Sequence, residues 1–214
     1  MPYRATESTR RRADERRSAL VRATWAIVAA QGFAGASVTE VARAAGTSTG
    51  LLYSYFGSRD ELLAEVFRQA AAQELEVVRT AVRAAGPPAP LRLDALVRTF
   101  AGRALRGRQL AWSLLFEPVS TLVEAERLAF RRAYAQLGEE IVRDGIAQRV
   151  YRQQNVPLTA SALMGAISEA LVGRLSPLLT DSDAVPADVV VQEIGTFCAR
   201  ALGSSPPTPE EVPT

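Results

Sequence analysis

Apolar residues recur along most of the chain every three or four positions, the spacing of an α-helix, and seldom alternate as in a β-strand. Leu20, Ile27 and Val28 lie on one such stripe and predict a helix over residues 13–31, which Gly32 ends. Further helices are predicted at about residues 61–85, 91–105, 109–116, 122–150, 158–175 and 185–202. The expected fold class is therefore all-α.

Two shorter helices lie between the first and the fourth, and serines mark where they begin. Ser37 and Glu40 have capping-box spacing, in which the hydroxyl accepts from the N3 amide and the glutamate reaches back to the cap amide. Ser48 can cap a third helix, and a second capping box opens the fourth helix at Ser58. Because a tight turn joins the second and third helices, this segment is a helix-turn-helix candidate.

The third helix has the chemistry of a helix that enters a DNA major groove. Small residues at its start let another backbone approach, and the positive end of its dipole favours a phosphate. Tyr53 and Tyr55 lie about 200° apart around the helix, so each can offer a hydroxyl to phosphate on a different side of the groove. Half-buried packing of both tyrosines is the alternative. Phe56 is expected to return to the core.

Composition narrows the chemistry further. The 214 residues include no histidine, so the usual zinc and iron ligand sets and every histidine base are absent, and neither metal nor cofactor is expected. The single Cys198 lies in an apolar stretch and is predicted to be buried. A helical-bundle enzyme would need converging carboxylates. The candidates are Glu117, Glu124, Glu126, Glu139 and Glu140. Glu124 and Glu126 face different sides of a helix, and Glu139 and Glu140 are adjacent, so neither pair converges and this hypothesis is disfavoured.

Net charge is only +2, but every basic residue is arginine and six of them crowd the start of the chain. They are Arg10, Arg11, Arg12, Arg16, Arg17 and Arg22. A solvated helix face explains them as well as a DNA-binding arm along a minor groove does.

Residues 10–60 resemble the N-terminal DNA-binding domain of the TetR/AcrR family of transcriptional regulators. The resemblance rests on the order and spacing of several motifs, which are Gln31-Gly32-Phe33, Ser37-Val-Thr-Glu40, Val41-Ala-Arg-Ala-Ala-Gly46, Ser48-Thr-Gly-Leu-Leu-Tyr-Ser-Tyr-Phe56 and Ser58-Arg-Asp-Glu-Leu62. Together with the arginine cluster and the proline-rich end of the sequence, it divides the chain into four predicted segments. They are a flexible basic arm over 1–12, the DNA-binding domain over 13–60, a helical regulatory and dimerisation domain over 61–203, and a disordered tail over 204–214.

The resemblance also implies which residues bind double-stranded DNA. Phosphates would be held by Tyr53, Tyr55, Ser48 and Arg59, base edges would be met by Thr49, Gly50 and Leu51, and Arg12 and Thr39 complete the predicted interface. Positions 49 and 59 are often lysine in such proteins; here Arg59 keeps the positive charge, whereas Thr49 lacks it. Leu51, often hydroxylated there, suggests apolar contact with a thymine methyl group.

The larger domain is expected to form a homodimer, which suits a palindromic operator. A stripe of small residues at helical spacing supports this expectation, with tight packing inside one subunit as the alternative; it comprises Ala162, Gly165, Ala166, Ala170 and Gly173. The predicted partner face consists of Val189, Val190, Ile194, Phe197 and Ala201.

A small hydrophobic or aromatic effector is the other expected partner, and the protein is then expected to be a repressor that the effector releases. The predicted effector-binding residues are Phe100, Arg103, Trp112, Phe116, Phe130, Tyr134, Met164 and Ser168. A regulator without a functional effector pocket is the alternative. The sequence shows no run of about 18 apolar residues, so no membrane-spanning segment is predicted, and the predicted location is the cytoplasm.

Overall fold

The computed structural model describes residues 7–178 and 185–203, and over these residues it contains helices and no strand. The helices are α1 (Glu7–Gly35), α2 (Val38–Ala44), α3 (Thr49–Tyr55), α4 (Arg59–Ala84), α5 (Ala89–Arg106), α6 (Arg108–Leu115), α7 (Thr121–Ala147), α8 (Val156–Leu175) and α9 (Ala187–Ala201). This arrangement confirms the predicted all-α class.

Helix α1 begins at Glu7, ahead of the predicted start at residue 13. Residues 7–12, predicted to be part of a flexible arm, are therefore helical. An Arg11–Glu15 pair at 3.6 Å, one turn apart, supports this extra turn. The rest of the predicted arm, residues 1–6, and the predicted tail, residues 204–214, lie outside the described residues.

Both predicted capping boxes form in part. The Ser37 hydroxyl accepts from the Glu40 amide at 3.2 Å, but the Glu40 carboxylate binds the Arg43 guanidinium instead of returning to the cap amide. The Ser58 hydroxyl accepts from the Glu61 amide at 3.1 Å, and the Glu61 carboxylate accepts from the Gly57 amide at 2.8 Å, one residue before the cap. Serine spacing thus predicted both helix starts, while each glutamate takes a partner within four residues that is not the cap amide.

The described residues form two compact units. The N-terminal unit holds the described residues up to Ala72 together with Gln109–Phe130. Its core includes Leu20, Val28 and Leu52, each at most 2% exposed. This unit is larger than the predicted DNA-binding domain over 13–60, because it extends to Ala72 and includes residues 109–130. The predicted domain boundaries remain a prediction.

The second unit holds Gln73–Arg108 and the described residues from Arg131 onward. Helix α5 packs against both α8 and α9, and Leu96, Ile167 and Cys198 are among the fully buried side chains. Burial raises the pKa of the Cys198 thiol to about 11, so the thiol is uncharged at neutral pH, in keeping with its predicted core position.

Helix α8 departs from the sequence expectation about apolar runs. Among the described helices it is long and apolar enough, by length and composition, to cross a membrane, with a mean hydropathy of 1.4. Only 22% of that apolar stretch is buried. Of the predicted dimer stripe, Ala162, Gly165 and Ala170 lie on the exposed face of α8, and Ala166 and Gly173 are half-buried.

Candidate nucleic-acid interface

Helix α3 presents different residues on its different sides. Leu52 and the C-cap residue Phe56 are buried at 0% and 4% exposure, so Phe56 returns to the core as predicted. Thr49 and Tyr53, one turn apart, are exposed, and Tyr53 is 52% accessible. Tyr55 is half-buried on another side. The two tyrosines therefore do not share one face.

The start of α3 is open and free of bulky groups. The Ser48 hydroxyl accepts a hydrogen bond from the Leu51 amide at 3.1 Å, as the predicted N-cap should. A Cβ added at Gly50 would meet nothing nearer than the Ser48 hydroxyl, 3.9 Å away. Another molecule can therefore approach the α3 backbone closely here.

The exposed surface of α3 is polar but uncharged. Its sequence contains no acidic or basic residue, and its hydroxyl groups belong to Ser48, Thr49, Tyr53, Ser54 and Tyr55. Positive charge comes from exposed arginines of α1, including Arg12, while Thr39 is exposed on α2. Hydrogen bonding and charge are thus supplied by different helices of the same unit.

Arg59 was predicted to contact a phosphate, but its guanidinium makes hydrogen bonds within the protein. Its guanidinium donates to the Phe33 and Ala36 carbonyls, both at 2.7 Å, and lies 3.8 Å from the Asp60 carboxylate. These carbonyls are 26 and 23 residues away in the chain, so local sequence could not reveal them. Arg59 stabilises the turn between α1 and α2, and a phosphate would have to compete with that role.

Arg17 likewise has an internal role. Its guanidinium lies 4.8 Å from the centre of the Phe56 ring and 3.5 Å from the Glu65 carboxylate. The cation–π contact and the ion pair fix the end of α3 against α1 and α4. Not every arginine of the N-terminal cluster is therefore available to a nucleic acid.

Two charged residues that sequence reasoning did not place in this unit are buried in it. The Glu117 carboxylate accepts hydrogen bonds from the Phe33 amide at 3.0 Å and the Ala34 amide at 2.8 Å. Arg127 donates to the Leu114 carbonyl at 3.0 Å and the Glu117 carbonyl at 2.6 Å. The Glu117 contacts join segments more than 80 residues apart, and the Arg127 contacts span 13 and 10 residues, so no local motif predicted them.

Gly32 explains why the Phe33 and Ala34 amides need such a partner. The backbone leaves the helical conformation at Gly32, with φ 77° and ψ 179°, so the next amides no longer continue the α1 hydrogen-bond pattern. A Cβ at this position would lie 2.6 Å from a Glu117 carboxylate oxygen. Glycine is required both by the positive φ and by the close approach of Glu117.

The eight predicted effector residues are divided between the two units. In the N-terminal unit, the Trp112 and Phe116 ring centroids are 5.5 Å apart, and Phe130 packs edge-on against Phe67 at 6.1 Å. In the second unit, Phe100 packs edge-on against Tyr134 at 5.1 Å.

The polar members among the predicted effector residues have partners within the second unit. Arg103 makes two hydrogen bonds to the Glu74 carboxylate, at 2.6 and 2.7 Å, which raise the pKa of Arg103. The half-buried Ser168 donates to the Met164 carbonyl at 2.9 Å, and Met164 is also half-buried. Burial raises the pKa of Tyr134 well above its usual range, so its hydroxyl stays neutral.

A groove of about 260 Å³ lies in the N-terminal unit. Its lining comprises Phe33, Ala34, Arg59, Asp60, Leu63, Pro118, Val119, Ser120 and Val123. None of the eight predicted effector residues is among them. The assignment of those eight to an effector remains a prediction.

The predicted dimer stripe on α8 is largely exposed. Ala162, Gly165 and Ala170 are exposed, and a Cβ added at Gly165 would meet nothing within 4 Å, so packing within the subunit does not require a glycine there. On α9 the prediction was partly wrong, because Val190 and Ile194 are buried inside the subunit at 9% and 6% exposure.

The other predicted α9 residues remain on its surface. Val189 is 39% exposed and Phe197 is 57% exposed, and Ala201 is exposed as well. An apolar surface therefore remains on α9, although it is smaller than the sequence suggested.

Comparison with known sequences places the helix-turn-helix segment in a family. Residues 20–66 match the model of the bacterial regulatory proteins of the tetR family. The HTH-type transcriptional regulator BetI of Rhizobium meliloti is 36% identical over 83 residues, which are 39% of this chain and 40% of BetI. PksA of Bacillus subtilis, also an HTH-type transcriptional regulator, is 43% identical over 51 residues, 24% of this chain and 25% of PksA. The matched segment thus spans well under half of either relative.

Similarity of fold extends over most of the chain. The fatty acid degradation regulator FadR of Bacillus halodurans has a TM-score of 0.72 at 17% identity, covering 89% of this chain and 97% of that one. FadR of Bacillus subtilis, solved with stearoyl-CoA, has a TM-score of 0.70 at 16% identity over 86% and 98% of the two chains. RolR, solved with resorcinol, has a TM-score of 0.68 at 16% identity over 91% of each. The sequence match identifies residues 20–66 as a segment of the tetR family of bacterial regulatory proteins, and the similarity over the rest of the chain is one of fold.

Proposed function

We propose that the protein is a homodimeric repressor that binds a palindromic DNA operator and releases it when a small hydrophobic or aromatic effector binds. The observation that carries the proposal is the α3 surface, where a serine-capped, uncharged helix exposes Thr49, Gly50 and Tyr53 beside half-buried Leu51 and Tyr55. This surface offers hydroxyl groups to phosphates and small or apolar groups to base edges.

Binding strength in this proposal comes mainly from α1. The α3 hydroxyls can orient the helix in a groove but cannot neutralise phosphate charge. Exposed arginines near the start of α1, among them Arg12, supply that charge, and their binding to phosphates releases counterions from the DNA. Arg59 is assigned a smaller share than the sequence suggested, because its guanidinium already donates to two carbonyls.

Dimerisation in this proposal uses the exposed faces of α8 and α9. The small side chains of Ala162 and Gly165 permit close approach of a second copy, and Phe197 supplies apolar area at the edge. A second copy would also cover the exposed part of α8, which otherwise leaves an apolar helix in contact with water.

The proposed effector is apolar over much of its surface. Arg103 is already paired with Glu74, so a carboxylate ligand would have to displace that partner before it met the charge. Stearoyl-CoA in Bacillus subtilis FadR and resorcinol in RolR support a fatty acyl or aromatic class. The alternative, a regulator without a functional effector pocket, is equally compatible with this ion pair, because Arg103 already has a partner in Glu74 and needs no ligand.

Operator binding is tested first, by fluorescence anisotropy with the purified full-length protein. Binding to duplexes from the DNA upstream of its own gene is compared with binding to scrambled duplex over a salt series. We expect selective binding, with log K falling linearly against log salt by about 0.9 for each phosphate neutralised. Equal affinity for all duplexes, upstream and genome-selected alike, would refute an operator-binding role.

Effector binding is tested by thermal unfolding against fatty acyl and phenolic compounds. A ligand that binds only the native state raises Tm, and an effector must also lower operator affinity at the same concentration. If neither class shifts Tm, the regulator without a functional effector pocket becomes the supported alternative.

A further inference from the structure

We propose that Glu117 is a positioning residue for DNA binding, because its carboxylate fixes the turn that sets the orientation of α2 and α3. This inference rests on the proposed function. Glu117 lies in the α6–α7 turn, defined here as residues 116–120. It holds the α1–α2 turn, defined here as residues 32–37, which runs from the break in α1 at Gly32 to the Ser37 cap of α2 and includes the last residues of α1.

The carboxylate satisfies both amides that the break in α1 releases. Its two oxygens accept separately, one from Phe33 at 3.0 Å and the other from Ala34 at 2.8 Å, and the Glu117 side chain is buried with the residue only 8% exposed. Hydrogen bonds from neutral donors to a charged acceptor in a buried site are strong and geometrically demanding. The direction of the chain after Gly32 is therefore tied to the position of Glu117.

Arg59 holds the same turn from its carbonyl side. It donates to the Phe33 and Ala36 carbonyls at 2.7 Å, while Glu117 accepts from the amides of residues 33 and 34. The α1–α2 turn is thus held through its amides by one charged group and through its carbonyls by another. A shift of either group changes the angle at which the chain enters α2.

Glu117 is itself held in place by a buried arginine. Arg127, only 5% exposed, donates to the carbonyls of Leu114 and Glu117 and pairs with the Glu124 carboxylate at 2.7 Å. This network fixes the end of α6 and the turn that follows. Glu117 is therefore presented to the amides by a rigid support rather than by a flexible loop.

The proposed DNA-binding residues lie on both sides of the α1–α2 turn along the chain. Arg12 precedes it on α1, whereas Thr39 and the α3 residues follow it, and α2 packs against both α1 and α3. Altering the turn would change the angle between the charged and the hydrogen-bonding parts of the interface.

The test replaces Glu117 in the full-length dimer, with Glu117→Gln as the main variant. Glutamine has the same shape but only one acceptor oxygen, so it can satisfy one of the two amides. Glu140→Gln is the control, since it changes net charge equally at an exposed α7 position in the second unit. Glu117→Ala removes both acceptors, and Glu117→Gln keeps the experiment decisive if the alanine variant does not fold.

Two measurements are made on each variant. Hydrogen exchange detected by NMR, without DNA, reports protection of the Phe33 and Ala34 amides. Anisotropy with a duplex that the wild-type protein selects from random sequence, and with a scrambled duplex, reports operator preference. In Glu117→Gln we expect the Phe33 and Ala34 amides to exchange about tenfold faster or more than in the wild type. The ratio of its affinities for the selected and the scrambled duplex should also fall by about tenfold or more. Its affinity for scrambled DNA should match that of the Glu140→Gln control.

The outcomes separate this proposal from the proposed function. Loss of amide protection without loss of operator preference would show that Glu117 is only structural and would overturn the positioning role. Unchanged protection would overturn the contact itself. If wild-type protein selects no duplex at all, the proposed function fails and the positioning role falls with it; a selective wild type with an equally selective Glu117→Gln variant removes the positioning role alone.

Discussion

Helices α3 and α8 both expose small side chains, but they differ in what surrounds them. On α3, Thr49 and Gly50 lie beside serine and tyrosine hydroxyl groups. On α8, Ala162 and Gly165 belong to an apolar stretch with a mean hydropathy of 1.4. Small residues permit close approach in both places. Polar surroundings favour a hydrated, hydrogen-bonding partner such as DNA, whereas apolar surroundings favour a second protein copy.

The difference also extends to how the two surfaces are supported. Helix α3 has seven residues, so the Ser48 cap and the buried Leu52 contribute much of its stability. Helix α8 has 20 residues and buries Ile167 and Leu171 completely. Substitutions on α3 should therefore affect both local order and binding, while exposed substitutions on α8 should affect association alone.

The largest expected effect is that of Gly165→Arg on the dimer. An arginine in a close-packed apolar interface leaves an unpaired charge, which costs about 3 kcal/mol and weakens dimerisation on the order of 100-fold. The free energy of unfolding of the subunit should hardly change, because nothing lies within 4 Å of a Cβ at Gly165. Sedimentation equilibrium measures the dimer, with Glu140→Arg as the control. A dimer of unchanged affinity would show that α8 is not the interface.

Ser48→Ala should have the next largest effect, on DNA binding. Loss of the Leu51 amide partner costs about 1 kcal/mol of helix stability, and loss of a phosphate contact costs about 1 kcal/mol more. Operator affinity should fall by about tenfold or more, while dimer affinity stays unchanged. Anisotropy measures the former, and Ser54→Ala, whose hydroxyl donates to the Leu51 carbonyl within α3, serves as the control.

Tyr53→Phe and Tyr55→Phe should each weaken binding by about 1 kcal/mol, or roughly fivefold. Each change removes a phosphate contact and keeps the ring, so the loss should be equal for operator and scrambled duplexes. Anisotropy with both duplexes checks this. A loss confined to the operator would mean that the hydroxyl contacts a base, and an unchanged affinity would return that tyrosine to a packing role.

Leu51→Ala should have the smallest average effect on affinity and the clearest effect on sequence preference. Loss of apolar contact with a thymine methyl should cost about 1 kcal/mol at the matching base pair and little elsewhere. Binding to a set of duplexes that differ by single base pairs measures the change. Equal losses across the whole set would contradict a base-contacting role for Leu51.

Much of the fold could be predicted because the features that determine it are local. Helix periodicity predicted most described helices to within a few residues, although α1 begins at Glu7 instead of residue 13, and Ser37, Ser48 and Ser58 cap helices where their spacing predicted. The family resemblance over residues 10–60 has the same origin, since it rests on caps, turns and tyrosines within a short span.

The tertiary structure alone decided which charged groups meet. Glu117 binds amides more than 80 residues away, and Arg59 donates to carbonyls more than 20 residues away, so no periodicity could indicate either contact. Local sequence also could not decide which α9 side chains are buried. Helix α9 packs against α5, and Val190 and Ile194 are buried while Phe197 stays exposed. Caps and helical periodicity act within a few residues, whereas burial and ion pairing depend on segments that only folding brings together.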